Sequence, residues 1–380
     1  MLFNTILGCL ALLSLVLNLW QWYVARRFPL HRRVSDFSFA PGITLLKPLK
    51  GCDEFTESCL RSWLTQAYAG PVQVLFGVAS ATDPVCAVVR GLLQEFPDAD
   101  AQLVVCDPLS GANLKVSKLA QLEQKAKHEV VVISDADVRV PPDLLANVVA
   151  PLSAAEVGLV NCFYRLANPA TPAMQWEAVA VNADFWSQVL QSQSLKSLDF
   201  ALGAVMATRR RQLGEIGGFA ALQDCLADDY QLGNRIARRG HRIALCPVVV
   251  ECWSGPMGWR EVWHHQLRWG RTIRVCQPVP YFFSILGNAT LWPLLWAALY
   301  PAGRELTFAV CFWLTRVGTA FNLQQLLTGA PPRLARAWLV PVKDLLQAAL
   351  WLMSFLGNRV EWRGRNMRLR RDGTLSREPL

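Results

Sequence analysis

The sequence predicts an α/β fold: a mostly parallel sheet with helices on both faces, flanked by N- and C-terminal membrane helices. Three observations predict it. Short apolar runs alternate with longer amphipathic stretches between residues 41 and 275, residues 2–24 carry no charge at all, and long apolar stretches return after Tyr281. Alternation of strand-like and helix-like segments implies parallel strands with helices packed on their faces. Of the 380 residues, 52% are apolar and 18% charged, against about 25% charged in an average soluble protein. That balance excludes a disordered chain and argues against a purely soluble enzyme. A fully polytopic transporter would be more apolar still, so a soluble body with membrane segments attached fits best.

Residues 2–24 are long enough as a helix to cross a hydrocarbon core of about 30 Å. The run ends in Trp20, Trp22 and Tyr23, and Arg26, Arg27, His31, Arg32 and Arg33 follow at once. Bulky aromatics at this end, in place of small residues, predict an uncleaved anchor. The basic cluster places the N-terminus outside and the body inside. Within the body, Ile43–Leu46, Val72–Val78, Gln102–Cys106, Val130–Ser134, Gly158–Cys162 and Ile243–Cys246 read as buried strands. Asp83–Phe96 and Leu114–Lys127 read as helices between them. Ligands of such sheets bind beyond the carboxyl ends of the strands.

Residues 281–300 read as a second span, and Pro301–Glu305 as a tight turn. Residues 306–329 read as a third span, and 338–357 as a final apolar helix carrying Lys343 and Asp344. A full crossing by that last helix would put the basic tail after Arg359 outside, against the positive-inside tendency. A re-entrant or interfacial final helix is therefore expected. The organisation is an anchor at 1–25, a catalytic body at 26–275, membrane helices at 276–358 and a basic tail at 359–380.

Lys plus Arg number 38 and Asp plus Glu 29, a net charge of +9. Anionic lipid or phosphorylated substrates suit that charge. Nucleic acid does not, because the Arg residues cluster beside membrane segments and no recognition motif is present. The eleven Cys form no C-x-x-C pair or zinc-like spacing, which predicts a reducing compartment and no disulfide scaffold.

Four constellations carry chemistry. Val130–Ser134 runs straight into Asp135 and Asp137, a carboxylate pair that suits Mg²⁺ or Mn²⁺ bridged to a diphosphate, although Asp also favours turns after strands. Asp83 follows a strand, where Thr82-Asp83-Pro84 also reads as an ordinary helix start. Asp228 and Asp229 lead a helix, where acids complement the dipole or supply a general base. His265, Arg268 and Trp269 lie in a basic, aromatic stretch that also reads as a juxtamembrane amphipathic helix.

Together these residues resemble the membrane-bound glycosyltransferases marked by three spaced Asp sites and a Q/R-x-x-R-W motif, in particular ceramide glucosyltransferases and the bacterial hopanoid biosynthesis-associated glycosyltransferases. Leu45-Leu-Lys-Pro-Leu-Lys-Gly51, Asp83 in T-D-P, Gly111-Ala-Asn113-Leu-Lys115, Asp135 in S-D-A-D-V-R-V, Asp229 in A-D-D-Y, Arg268-Trp269 and Trp362-Arg-Gly carry the resemblance over nearly the whole chain. One departure is His265, where the pattern has an amide or guanidinium. The resemblance implies a GT-A-like fold and inverting transfer of one sugar, glucose or N-acetylglucosamine, from a UDP-sugar donor to a hydroxyl of a lipid acceptor, hopanoid or ceramide. It further implies Asp83 near the nucleotide, Mg²⁺ or Mn²⁺ on Asp135 and Asp137, and Asp229 as base. Lys115, His265 and Arg268 fall to the donor diphosphate, and Trp269 to the border of the acceptor site.

Two other readings compete. A processive polysaccharide synthase shares the acidic sites but needs more spans to thread a polymer, and a non-enzymatic lipid-binding scaffold would tolerate loss of Asp135 or Asp229. The Ala- and Arg-rich composition points to a bacterium, hence a multi-pass inner-membrane protein with a cytoplasmic catalytic domain.

Overall fold

The computed structural model describes residues 1–362 and 365–377. Eight strands form one sheet in the order β3-β2-β1-β4-β7-β6-β8-β5. They are β1 (Ile43–Pro48), β2 (Val72–Val78), β3 (Asp100–Val105), β4 (Val130–Ser134), β5 (Val138–Arg139), β6 (Val157–Leu166), β7 (Val205–Arg209) and β8 (Arg242–Cys252). The first half, β3-β2-β1-β4, is parallel throughout. Its crossovers are the helices α2 (Thr56–Leu64), α3 (Val85–Glu95) and α4 (Leu114–Glu123), preceded in the chain by α1 (Leu2–Arg27).

The second half is mixed. β6 and β8 run parallel, whereas β7 is antiparallel to both β4 and β6, and β5 is a short antiparallel edge on β8. α5 (Leu144–Val149), α6 (Pro172–Val179), α7 (Trp186–Gln193), α8 (Arg210–Glu215) and α9 (Asp228–Arg238) fill the connections. Between α6 and α7, residues Ala180–Phe185 form a π-helical turn. β5 and β7 escape the sequence reading because neither is a long apolar run: β5 has two residues, and β7 ends in Thr208-Arg209.

Side chains alternate across the strands, as strand geometry requires. Leu45, Val130 and Val132 enter one core with Trp63, Phe76 and Val89. Leu46, Val131 and Ile133 enter the other, which also takes in Ala25, Ala320, Leu323, Leu327, Leu339 and Val340. One face of the sheet thus shares its core with the membrane segments. β3, at the edge, is the only one of the parallel four with an alternating, partly exposed pattern, as befits a strand with a single neighbour.

The chain continues with α10 (Trp259–Cys276), α11 (Pro278–Phe283), α12 (Leu291–Leu299), α13 (Gly303–Thr328) and α14 (Leu339–Phe355). α1 and α13, with 26 residues each, are long and apolar enough to cross a membrane. α1 buries Leu7, Ala11, Ser14, Asn18, Gln21 and Ala25, a stripe of alternating four- and three-residue steps that marks one helix face. Its polar members bond across helices: Gln21 Nε2 donates to Ser187 Oγ (2.6 Å), and Thr319 Oγ1 to Asn18 Oδ1 (2.8 Å).

The span expected at residues 281–300 is bent: Pro278–Gly287 and Leu291–Leu299 meet at an angle of 50°. Asn288 makes the break, its Oδ1 accepting from Leu291 N (2.9 Å) while its Nδ2 donates to the Asp344 carbonyl (2.7 Å). The turn expected at Pro301–Glu305 is also shorter, because α13 begins at Gly303.

α14 has 17 residues and buries Lys343 and Asp344. With Arg316 of α13 and Asp184 of the π turn they form a closed ion cluster. Arg316 Nη2 lies 2.7 Å from Asp184 Oδ2 and 2.9 Å from Asp344 Oδ1, and Lys343 Nζ pairs with both acids. Opposite charges in equal number make such a buried cluster tolerable.

After α14 the chain folds into a small antiparallel sheet of β9 (Arg359–Trp362), β10 (Arg365–Leu369) and β11 (Leu375–Arg377). The stretch expected as a basic tail thus contains three strands among its described residues. Of the Trp362-Arg-Gly segment, Arg363 and Gly364 lie outside the described residues.

Candidate active site

The parallel strands all end on one side, and the acidic motifs follow those ends. β1 leads to Gly51, whose N–H donates to Asp83 Oδ1 (3.0 Å) and Oδ2 (3.2 Å). Asp83 Oδ1 also accepts from Val85 N at the start of α3 (3.1 Å). Asp83 therefore ties the ends of β1 and β2 together as well as opening a helix.

β4 delivers Asp135 and Asp137. The turn is fastened from beneath by Lys47 of β1, fully buried, whose Nζ bonds Ser134 Oγ (3.3 Å) and the Asp135 carbonyl and sits 5.0 Å from the Trp63 ring centroid. Burial pushes the Lys47 ammonium down to about 8. The Asp137 carbonyl accepts from Trp253 N (2.9 Å). The Asp137 side chain is open to the cleft but crowded by protein on its other sides, and this desolvation together with the Asp135 charge pushes it up to about 6.

Lys115 joins two of the acidic sites. Its Nζ lies 2.7 Å from Asp135 Oδ1 and 3.1 Å from Asp228 Oδ2. Burial works against its charge, but the Asp135 and Asp228 carboxylates outweigh it and hold the ammonium above the ordinary lysine value. Asn113 sets this up. Its Oδ1 caps α4 by accepting from Lys115 N (3.0 Å) and Val116 N (3.2 Å), while its Nδ2 donates to the Cys225 carbonyl (2.8 Å). Gly111 precedes it at φ +75°, where a Cβ would meet Gln223.

The adjacent acids of α9 separate into two environments. Asp228 is buried against Lys115. Asp229 is half-buried, accepts from Tyr230 N (2.8 Å) and fills space left by Gly203, where a Cβ would lie 2.8 Å from Asp229 Oδ2. Burial, followed by the Asp228 charge, pushes Asp229 up to about 6. A carboxylate ionised only above pH 6 suits proton abstraction near neutrality.

α10 supplies the remaining motif. His265 Nδ1 lies 2.6 Å from Glu177 Oε1, which also accepts from Gln266 Nε2 (2.8 Å). Trp269 packs on His265 (4.8 Å between centroids) and on Phe185 (5.7 Å), which in turn packs on Tyr164 (5.6 Å). Tyr164 is raised well above the ordinary phenol value by burial, by Cys252, and by Asp229, Glu177 and Asp135. Those carboxylates therefore all act on the same buried phenol. Arg268 is half-buried one turn beyond His265, and its carbonyl accepts from Thr272 Oγ1 (2.8 Å).

The C-terminal sheet braces both sides of this arrangement. Leu375 N donates to the Asp224 carbonyl (2.7 Å) and Leu226 N to the Gly373 carbonyl (3.3 Å), just before Asp228. On α10, Arg271 bonds the Arg359 carbonyl and Arg274 bonds Asn358.

Direct contacts thus join Asp135, Lys115 and the Asp228-Asp229 turn, with Asp83 at the neighbouring strand ends and His265 and Trp269 across the aromatic chain. Sequence reasoning assigned no role to Lys47, Asn113, Glu177 or Tyr164. Glu177 had a signal, as a lone acid in the apolar stretch Pro172–Val181. Among the described residues no cluster of three or more His, Cys, Asp or Glu converges as a complete metal site. The donor set still fits a hard divalent cation, which is commonly held by one or two carboxylates with substrate phosphates and water. The like-charge crowding at Asp137 is what such a cation relieves.

Three comparisons place the chain. The protein matches ceramide glucosyltransferase 3 of Caenorhabditis elegans with 24% identity over 222 residues, 58% of this chain and 48% of the relative. It matches ceramide glucosyltransferase of Candida albicans with 30% identity over 130 residues, 31% of this chain and 24% of the relative. The matched region spans less than half the length of these relatives. The fold is that of the mannosyltransferase PcManGT from Pyrobaculum calidifontis, solved with GDP-Man and Mn²⁺, at a TM-score of 0.55 and 21% identity over 93% of this chain and 97% of that one. This is the GT-A-like fold that the motifs implied. With two helices long and apolar enough to cross a bilayer and a match to the family model over residues 6–375, the chain is a membrane protein belonging to glycosyl transferase family 21.

Proposed function

We propose that the protein is an inverting glycosyltransferase that moves a single sugar, glucose or N-acetylglucosamine, from a UDP-sugar to a hydroxyl of a membrane lipid, a hopanoid or a ceramide. The observation that carries this reading is the placement of Asp229. Its carboxyl is raised to about 6 and lies beside the Lys115–Asp135 pair, on a sheet whose other core is shared with membrane helices.

In this reading Asp229 accepts the proton of the lipid hydroxyl as that oxygen attacks the anomeric carbon. The new C–O bond forms as the bond to the diphosphate breaks, UDP leaves with the electron pair, and the configuration inverts. Lys115 and Arg268 stabilise the diphosphate, and Asp83 faces the nucleotide. Asp135 and Asp137 hold Mg²⁺ or Mn²⁺, which when bound offsets charge on the departing diphosphate. Trp269 borders the acceptor. Counting the bent pair as one crossing, α1, α11–α12 and α13 leave the catalytic body and the C-terminal sheet on the cytoplasmic side of a bacterial inner membrane.

The test is to incubate purified protein with UDP-glucose or UDP-N-acetylglucosamine and each lipid, with Mn²⁺ or with chelator, and weigh the products. A lipid heavier by one hexose or one N-acetylhexosamine, lost with chelator, supports the reading. A polymer would move the assignment to a polysaccharide synthase.

A further inference from the structure

We infer that Glu177 is a positioning residue that fixes the tautomer of His265, so that His265 Nε2 offers a lone pair to a substrate hydroxyl and not a proton to the diphosphate. The inference rests on the transferase reading and departs from it at one residue. Glu177 is 1% exposed, and its Oε1 faces two groups of α10: His265 Nδ1 at 2.6 Å and Gln266 Nε2 at 2.8 Å. A carboxylate only accepts hydrogen bonds, so Nδ1 carries the proton in this contact. In a neutral imidazole the other nitrogen is then bare.

The His265 ring packs on Trp269, and Trp269 reaches Tyr164 through Phe185. These three aromatics pack in one cluster with Ala204 and Val205, next to Gly203, whose open side faces Asp229, so the Glu177–His265 pair adjoins the carboxylates. The family pattern has an amide or guanidinium at this position, both able to donate to a phosphate oxygen. A histidine locked by Glu177 reverses that polarity. A bare nitrogen repels a phosphate oxygen and accepts from a hydroxyl, whether of the transferred sugar or of the lipid.

The test uses the full-length protein in detergent with ¹⁵N-histidine, His265→Gln identifying the resonance among the five histidines. At pH 8 the wild type should show His265 protonated at Nδ1 and bare at Nε2, and Glu177→Ala should lose that tautomer. Glu177→Ala should leave UDP affinity unchanged and raise one KM roughly tenfold, the loss of one hydrogen bond. The donor KM rises if the hydroxyl is the sugar's, the acceptor KM if it is the lipid's. On a His265→Gln background Glu177→Ala should leave that KM unchanged, its remaining effect being a loss of stability as Gln266 Nε2 loses its acceptor. An imidazolium at pH 8, a proton on Nε2 in the wild type, a tenfold loss of UDP affinity in Glu177→Ala, or additive effects of the two substitutions on that KM would each overturn the inference. Absence of sugar transfer by the wild type would overturn the transferase reading alone, because the tautomer and UDP measurements need no turnover.

Discussion

Two buried groups of charges in this protein are built on opposite plans. Among the membrane helices, Arg316 and Lys343 are matched by Asp184 and Asp344, every one of them nearly inaccessible. In the cleft, Lys115 is shared between Asp135 and Asp228, and the neighbouring carboxyls of Asp137 and Asp229 are both pushed up to about 6. The balanced cluster matches its charges among its own members and holds helices together. A cluster with surplus carboxylates stores electrostatic tension that a cation, or a proton from a substrate, relieves. The difference separates a cluster that holds the fold from one that, in the reading proposed above, performs the chemistry.

The contrast breaks most sharply at its two extremes. Asp229→Asn should lower the rate of sugar transfer by about 10²–10⁴-fold with little change in thermal stability, and the residual activity should lose its rise with pH. In the wild type that rise should pass through a midpoint near 6, because the folded Asp229 must lose its proton before it can act. Arg316→Met should do the reverse. Removing one partner leaves Lys343 alone against both Asp184 and Asp344 and costs about 3–5 kcal/mol, read as a lower melting temperature in detergent, with donor KM nearly unchanged in the surviving fraction. If Arg316→Met abolished turnover without destabilising the protein, the division between the two clusters would fail.

Smaller changes sharpen the comparison. Gly203→Ala places a Cβ 2.8 Å from Asp229 Oδ2 and should displace the carboxylate, lowering kcat about tenfold to a hundredfold with donor KM preserved. Asn113→Ala removes the cap of α4 and should cost about 1 kcal/mol of stability. It should also raise donor KM, since Asn113 steadies both Lys115 and the loop before Asp228.

The sequence reveals the acidic sites because each follows directly from a local pattern. Val130–Ser134 is an unbroken apolar strand that can only end where Asp135 begins, and β2 ends in the same way before Asp83. Local patterns carry no information about partners far along the chain. Arg316, Lys343 and Asp344 stand out as charges in apolar helices, yet their match with Asp184 spans 132 residues for Arg316 and is visible only in three dimensions. β7 is missed for a similar reason, since a strand inserted antiparallel between β4 and β6 is stabilised by those neighbours more than by its own composition. The bend after Gly287 is hidden because Asn288 and Thr290 are uncharged, and hydropathy does not register a polar side chain that satisfies the backbone at a break.

The small C-terminal sheet has a consequence for biogenesis. Residues 358–377 leave the ribosome after α11–α14, yet they supply the bonds that steady the loop at Asp224–Leu226 and the basic end of α10. Until they emerge, the nascent chain has its strands and its long apolar helices but an unbraced base, so the proposed site is complete only once α11–α14 have been made. On that reading, proteolytic trimming at this end should silence sugar transfer while leaving α1 and α13 in place.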